Sequence, residues 1–367
     1  MSWAEDAGFE ANPYQKLDPF KIDPSKLTWN RNDLQEEKQK IDDFVSDLIA
    51  GARVGMRVIG AIGSGKTWLA RIVEIMLKQR TNSAFVVYTK VPKIEPIFSN
   101  VYIIAIKGFL DQFNLIKEKI IQQGRQTDLT AWSSIFKDED LAKGLSHICS
   151  GGKNGLIAKR WIQGDRVTTS ELTALDIIEP ITSDYKRFEV LVEIFKELST
   201  IFSFSLLIVD ELENAPLKLA NGLSDGLRDM LSMFERKFGL ICLFTAQSFD
   251  EWYDAGYSET LTRRIDYHIR VSEIQQAAIH ELIRAHHRLY RRRYARIGGN
   301  ELYPFTSEAI DKIFEYTPLG MRYPGYIFPN MEAIVKLALK REIALPIPGN
   351  YVINNISLLP YGTTEII

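Results

Sequence analysis

From Arg57 to Leu77 the chain reads RVIGAIGSGKTWLARIVEIML. Gly60, Gly63 and Gly65 fall within six residues, and Lys66 and Thr67 follow at once. The preceding VGMRVIG predicts a short strand. After the glycines, Leu69, Ile72, Val73, Met76 and Leu77 recur as one apolar stripe of a helix. Gly60 to Thr67 matches G-x-x-x-x-G-K-[ST], a loop that cradles phosphates. Glycines let backbone N–H groups turn inward around a polyphosphate without Cβ clashes. The helix N-terminus adds unsatisfied donors and the positive end of its dipole. Lys66 is expected to reach the outer phosphates, and the Thr67 hydroxyl to ligate Mg2+. Gly60, Ile62, Gly63, Ser64, Gly65, Lys66, Thr67 and Trp68 are the loop positions expected against nucleotide.

Such a loop needs a second site for the metal and an attacking water. SFSLLIVDELENAP supplies it: Leu206 to Val209 form a continuous apolar run, as a strand buried on both faces should, and the run ends in Asp210-Glu211. A carboxylate at the C-terminal edge of a parallel strand lies where ligands bind in open α/β sheets. Asp210 is expected to hold Mg2+ and Glu211 to polarise water. A helix carrying Leu227, Met230, Leu231 and Phe234 follows, and then another apolar strand, FGLICLFTAQS. Its end bears Thr245 and Gln247; either could meet the γ-phosphate, with Thr245 preferred. These elements predict a three-layer α/β core with a mostly parallel sheet.

This order of loop strand, acidic strand and polar-tipped strand resembles the additional-strand P-loop ATPases. More narrowly, it resembles the AAA+ superfamily in its archaeal initiator-like and signalling-ATPase branches. LTWNRNDLQEEKQKIDDFVSDLIAG (Leu27 to Gly51) is similar to the segment preceding the loop strand there, and the resemblance implies that Arg31 flanks adenine. ETLTRRIDYHIRVSEI is similar to the arginine-finger box, implying Arg263 or Arg264. PFTSEAIDKIFEYTPLGMRYPG is similar to the lid segment whose G-x-R arginine senses nucleotide, implying Arg322 after Gly320. The likeness covers most of Leu27–Gly51, Met56–Tyr88, Phe204–Val271 and the lid to about Arg341. It implies ATP and Mg2+ as ligands, ATP hydrolysis, and a switch or remodeller acting with DNA or protein partners, with a homo-oligomer expected. The alternative is a nucleotide-binding signalling or scaffold module with little turnover. A small-molecule P-loop kinase is disfavoured by the two arginine boxes and the lid.

Two departures stand out. Lys66 and Asp210 are far apart in sequence, so a helical insertion is expected at about 96–181. Phe109, Phe113, Ile116 and Ile120 share a helical face there, and Leu191, Phe195, Leu198 and Phe202 share another beside it. KRWIQGD in this stretch, with DELEN, is also similar to ATP-binding components of some prokaryotic phage-defence systems. After the lid, EIALPIPGNYVINNISLLPYGTTEII is too short for a winged-helix domain, so initiator-type DNA binding by that route is not expected. The expected organisation is an N-terminal extension (1–26), an ATPase core (27–272), a helical lid (273–343) and a tail (344–367). Pro324 and Pro329 are read as preceding a helix faced by Ile334, Leu337 and Ala338, with Pro329 as its opening turn.

QQAAIHELIRAHHRLYRRRYARI is locally basic. Arg284, Arg288 and Arg291 fall on one stripe with Arg292 near, so the helix around Arg284–Arg296 is a candidate DNA contact. A solvated lid face or a contact with a neighbouring subunit is the plainer reading. His286 and His287 have no carboxylate or cysteine at metal-ligand spacing. The formal net charge of −2 announces no nucleic acid overall, so any such contact is local. Cys149 and Cys242 match no metal spacing, and a reducing, cytoplasmic setting fits them. The acidic start MSWAEDAGFEANPYQKLDPF lacks the apolar core of a signal peptide, and no run reaches membrane-spanning length.

Overall fold

The computed structural model describes residues 3–14, 19, 31–81, 83–124, 127–292 and 300–362. The chain begins with α1 (Trp3–Asp6), α2 (Gln35–Ile49), β1 (Arg53–Gly60), α3 (Lys66–Arg80) and β2 (Ala84–Lys90). Seven helices follow: α4 (Ile97–Asp111), α5 (Phe113–Gln122), α6 (Leu129–Ile135), α7 (Glu139–Ser150), α8 (Gly152–Ile162), α9 (Thr169–Ala174) and α10 (Asp184–Ile201). Next come β3 (Phe204–Asp210), α11 (Leu217–Met233), β4 (Phe238–Phe244), α12 (Ala246–Asp254), α13 (Tyr257–Thr262) and β5 (Tyr267–Val271). The last helices are α14 (Gln276–Tyr290), α15 (Ser307–Glu315), α16 (Pro324–Lys340) and α17 (Gly349–Ile353). Among the described residues, no helix is long and apolar enough to cross a membrane.

Two compact units emerge. One comprises residues 40–59 and 73–269, the other 1–39, 60–72 and 270–367, so the boundary runs through α2, β1, α3 and β5.

The first unit is built on a five-stranded parallel sheet in the order β2-β3-β4-β1-β5. Every residue of β3 and of β4 is buried, which is why their sequences are apolar without alternation. The register pairs Val209 with Cys242 and Ile59 with Phe244. Asp210 therefore comes level with Val58, two strand spacings or about 10 Å away. The expected insertion is helical. Asp128, Asp138, Thr168 and Ser183 cap α6, α7, α9 and α10 by accepting a backbone N–H three residues on. Trp132 stacks on Phe113 at 5.5 Å, and buried Trp161 donates its indole N–H to Glu179 O at 2.8 Å. One helical face was expected to carry Phe109, Phe113, Ile116 and Ile120. All four are buried, but the helix breaks between Phe109 and Phe113, where the Gln112 side chain donates to Val86 O of β2 at 2.7 Å.

The second unit has its own core, formed by Ile279 and Ile283 of α14, Ile313 and Phe314 of α15, and Met331 and Val335 of α16. Residues 1–26 and 344–367 read as an extension and a tail, yet Tyr14, Ile347, Val352 and Leu359 are buried in this same cluster. Pro329 corrects the sequence reading: it lies inside α16, which already starts at Pro324. A proline fits the first turn without loss, and burial of Ile327, Asn330 and Met331 carries the helix through the second.

The N-terminal segment is tied to the end of α14. Glu10 N donates to Tyr290 O at 2.7 Å and Arg292 N to Gly8 O at 2.9 Å. The Tyr14 hydroxyl and His287 Nε2 are 2.6 Å apart, and His286 Nε2 bonds Pro13 O. Burial holds His286 neutral and pushes its pKa down to about 4. Burial also drives His287 down, helped by the neighbouring His286 and Arg291. The unfolded chain therefore binds more protons than the native one between about pH 4 and 6.5. Stability is full above 6.5 and falls as the pH drops towards 4, by about 3 kcal/mol for His286 alone. Thermal melting at pH 5 is accordingly expected well below that at pH 7.5. His286→Phe, which keeps the stack on Phe328 at 4.3 Å, should remove much of that difference.

Candidate phosphate-binding site

β1 runs into the glycine loop, and the loop into α3. Gly63 and Gly65 have φ of +77° and +98°, which L side chains rarely adopt. A Cβ on Gly60 would lie 2.6 Å from Ser64 Oγ. Ser64 N closes a turn onto Ala61 O at 3.2 Å, and the first bond of α3 runs from Leu69 N to Gly65 O at 2.9 Å. The amides of the first helical turn have no carbonyl within their own helix, and that turn carries no acidic residue of its own. Buried Ser64 Oγ has no hydrogen-bond partner among the described residues. Lys66 is buried, and its Nζ donates to Gly60 O at 2.9 Å and Ala61 O at 3.0 Å, which curls the ammonium over its own loop. Ile62 is 69% exposed at the loop's tip. Thr67 and Trp68 lie in the first turn of α3. The expected loop residues thus lie together in one turn between β1 and α3, with the Lys66 ammonium folded back on the carbonyls of Gly60 and Ala61.

The loop meets α16 of the same unit. Gly325 N donates to Gly63 O at 3.1 Å. A Cβ on Gly325 would lie 2.7 Å from Gly63 Cα, so only glycine fits this approach. The Tyr326 ring lies 3.4 Å from where a Cβ on Gly63 would stand. Arg322 precedes these residues, but its guanidinium turns the other way. Nε donates to Thr317 O at 3.1 Å, and the group lies 4.7 Å over the Phe314 ring, closing the end of α15. Arg31 is also drawn into backbone work. It pairs with Asp33 at 2.8 Å and donates to Ser272 O and Glu273 O, with Nη1 buried and lacking a described partner.

In the sheet unit, Asp210 is 2% exposed at the end of β3. Tyr88 OH donates to its Oδ2 at 2.5 Å and Glu211 N to its Oδ1 at 2.7 Å. Glu211 has φ of +58° and ψ of 39°, a left-handed conformation that strains a residue with a side chain. Lys90 Nζ holds its Oε1 at 3.0 Å, and Asn214 donates to its Oε2 at 3.0 Å. Tyr88, Lys90 and Asn214 escaped the sequence reading. Asn214 sits three residues past Glu211 and could have been found, whereas Tyr88 and Lys90 arrive from β2 only through strand pairing.

β4 lies between β1 and β3, so Thr245 follows the strand that separates the loop strand from the acidic one. Its hydroxyl caps α12, accepting from Ser248 N at 3.2 Å. Gln247 is exposed and donates to Glu251 at 2.9 Å. Arg263 and Arg264 are exposed just before β5, with Arg263 paired to Glu259. Asp266 N bonds Gly55 O at 2.9 Å. The stretch of β1 from Gly55 to Gly60 spans about 16 Å, so both arginines lie towards the start of β1 rather than its end.

The basic stripe is largely engaged. Arg288 pairs with Glu301 at 2.8 Å and Arg292 with Glu5 at 3.1 Å. Arg291 donates to Ala7 O and Tyr303 O and lies 4.1 Å over Phe9. α14 ends at Tyr290, and Arg293 and Arg296 fall outside the described residues.

No family model and no curated protein matches the sequence. Among solved structures, the ORC2 protein of Aeropyrum pernix, determined in ADPNP-ADP complexes, is similar with a TM-score of 0.54 and 10% identity. The match covers 95% of this chain and 71% of that one. The ORC1 protein of Aeropyrum pernix in complex with DNA has a TM-score of 0.44, 12% identity, and coverage of 84% and 60%. Drosophila ORC bound to DNA has a TM-score of 0.46, 11% identity, and coverage of 90% and 64%. The chain thus spans less than two thirds of the latter two. At such identities the likeness is one of fold alone: the chain has an α/β fold like that of Aeropyrum pernix ORC2.

Proposed function

We propose that the chain binds ATP with Mg2+ and hydrolyses it, using the cycle to switch its contacts with a second copy of itself or another partner. The observation that carries this reading is the loop: Gly63 and Gly65 at positive φ open directly into α3, on a strand two places from one ending in Asp210-Glu211. The donor set suits Mg2+, which takes few protein oxygens and keeps phosphate oxygens and waters. Thr67 and Asp210 would hold it, and when bound it would draw charge from the phosphates. Loop amides and the Lys66 ammonium stabilise the outer phosphates, for which Lys66 must leave the carbonyls of Gly60 and Ala61. Glu211 orients the attacking water once one of its oxygens leaves Lys90 or Asn214.

Thr245 remains the candidate for contact with the γ-phosphate, at the cost of its cap on α12. Arg263 and Arg264, exposed just before β5 and near the start of β1, suit a neighbouring subunit's nucleotide better than their own. Arg322 reaches nucleotide only by leaving the end of α15, and Arg31 serves the adenine side through its unsatisfied Nη1. With Arg288, Arg291 and Arg292 engaged inside the chain, a protein partner fits better than DNA bound along α14. A second reading, a signalling or scaffold module with little turnover, is favoured by the double restraint on Glu211.

Titration with a fluorescent ATP analogue and assay of phosphate release separate these readings. Lys66→Ala should weaken binding by at least about tenfold, the loss of one charged phosphate contact. Glu211→Gln should bind normally while phosphate release falls by about 100-fold. Wild-type protein that binds nucleotide but releases no phosphate, alone or with partner copies, would leave the scaffold reading; failure to bind would remove both.

Replacing Arg263 and Arg264 together with alanine should leave the affinity of dilute protein unchanged and lower phosphate release only at concentrations where the wild type self-associates. Loss of affinity in the dilute protein would place those side chains at their own nucleotide instead.

A further inference from the structure

The C-terminal segment reaches the phosphate loop through two tyrosines. Asn330 of α16, fully buried, grips this segment by its backbone: Tyr361 N donates to Asn330 Oδ1 at 2.9 Å, and Asn330 Nδ2 donates to Tyr361 O at 3.2 Å. Nδ2 also donates to Thr317 Oγ1 at 3.1 Å, which fixes the amide's orientation. Leu359 anchors the same turn in the core, and Gly362 N closes it onto Leu359 O at 3.3 Å. So held, the Tyr361 ring meets the Tyr326 ring edge-on, with centroids 5.0 Å apart and planes at 78°. Tyr326 in turn lies against Gly63, beside the bond from Gly325 N to Gly63 O.

That bond bears directly on phosphate binding. In a trans peptide the C=O and N–H point in opposite directions. The Gly63 carbonyl accepts from Gly325 N at 3.1 Å while the same peptide's N–H closes the loop's turn onto Ala61 O at 3.2 Å, so both polar groups of the Gly63–Ser64 peptide are held and its plane is fixed. A nest of inward N–H groups is what an anion needs. Whatever steadies the first turn of α16 therefore steadies the path of the loop at Gly63 and Ser64, on which the remaining amides depend, and an aromatic pair does this at small entropic cost because each ring has only two torsions.

We propose that Tyr361 is a positioning residue for the phosphate loop: acting through Tyr326 and the Gly325–Gly63 bond, the C-terminal segment pre-organises the loop for the β-phosphate. This rests on the loop's reading as a nucleotide site. A partner or modification that displaces residues 359–362 from Asn330 would loosen bound nucleotide without touching it.

Titration of a fluorescent ADP analogue into full-length protein tests the brace. Tyr361→Ala should weaken binding by about 3- to 10-fold, the scale of a lost pre-organising contact, while Tyr361→Phe binds like the wild type because the edge-on ring is retained. Amide exchange across residues 58–68 should quicken in Tyr361→Ala and not in Tyr361→Phe, a readout that a purely structural role at the C-terminus would leave unmoved. Should Tyr361→Ala fail to fold, Tyr361→Leu keeps the apolar bulk without the ring and takes its place. Unchanged affinity and loop exchange in the ring-less variant, or an equal loss in Tyr361→Phe, would overturn the brace while leaving the nucleotide site intact. Wild-type protein that binds no nucleotide would instead overturn the site itself, and the brace with it.

Discussion

The backbone conformation of Gly63 and Gly65 is the constraint on which the rest of the candidate site depends. Two residues at positive φ turn the chain sharply enough that a buried strand can become a helix within a few residues. A side chain at either position would strain the turn, and at Gly63 it would also press on Gly325 and Tyr326. Because α16 approaches with a glycine of its own, the two backbones can share a hydrogen bond at 3.1 Å. The loop is thereby coupled to the core of Ile327, Met331 and Val335, and through Asn330 to the C-terminal turn. A flexible motif becomes a shaped one because a packed helix holds it from outside.

The acidic strand end follows a different logic. Asp210 is buried and uses both oxygens to accept hydrogen bonds, which keeps a carboxylate tolerable in so little solvent. Glu211 sits one residue on in a strained backbone conformation with its carboxylate shared between Lys90 and Asn214. Lys90 and Glu211 are both about half exposed, so their pairing adds little to stability. Its consequence is directional, since it decides where the carboxylate points.

Several elements were legible in the sequence for physical reasons. Continuous apolar runs marked β3 and β4 because both of their faces are covered, and the stripe from Leu69 to Leu77 marked α3. Others were not legible. Pro329 signals a helix start, yet burial of its neighbours carries α16 past it. Gln112 divides an apolar stripe because its amide is needed at the edge of β2. Arg288, Arg291 and Arg292 read as a free basic stripe, but acidic side chains and carbonyls distant in sequence have taken them. Arg322 and Arg31 are likewise held by carbonyls that no local pattern announces.

What the sequence determined by itself is the local chemistry: where the glycines allow a turn, where a helix opens on a lysine and a threonine, and where a buried strand ends in two carboxylates. These are properties of neighbouring residues, governed by torsional freedom and by the periods of helix and strand. The tertiary structure alone decided the partners. Strand order set β4 between β1 and β3, β2 brought Tyr88 and Lys90 to the acidic pair, and α16 brought Gly325 and Tyr326 to the loop. Each of those contacts joins residues far apart along the chain, and only the burial of apolar faces against one another selects them.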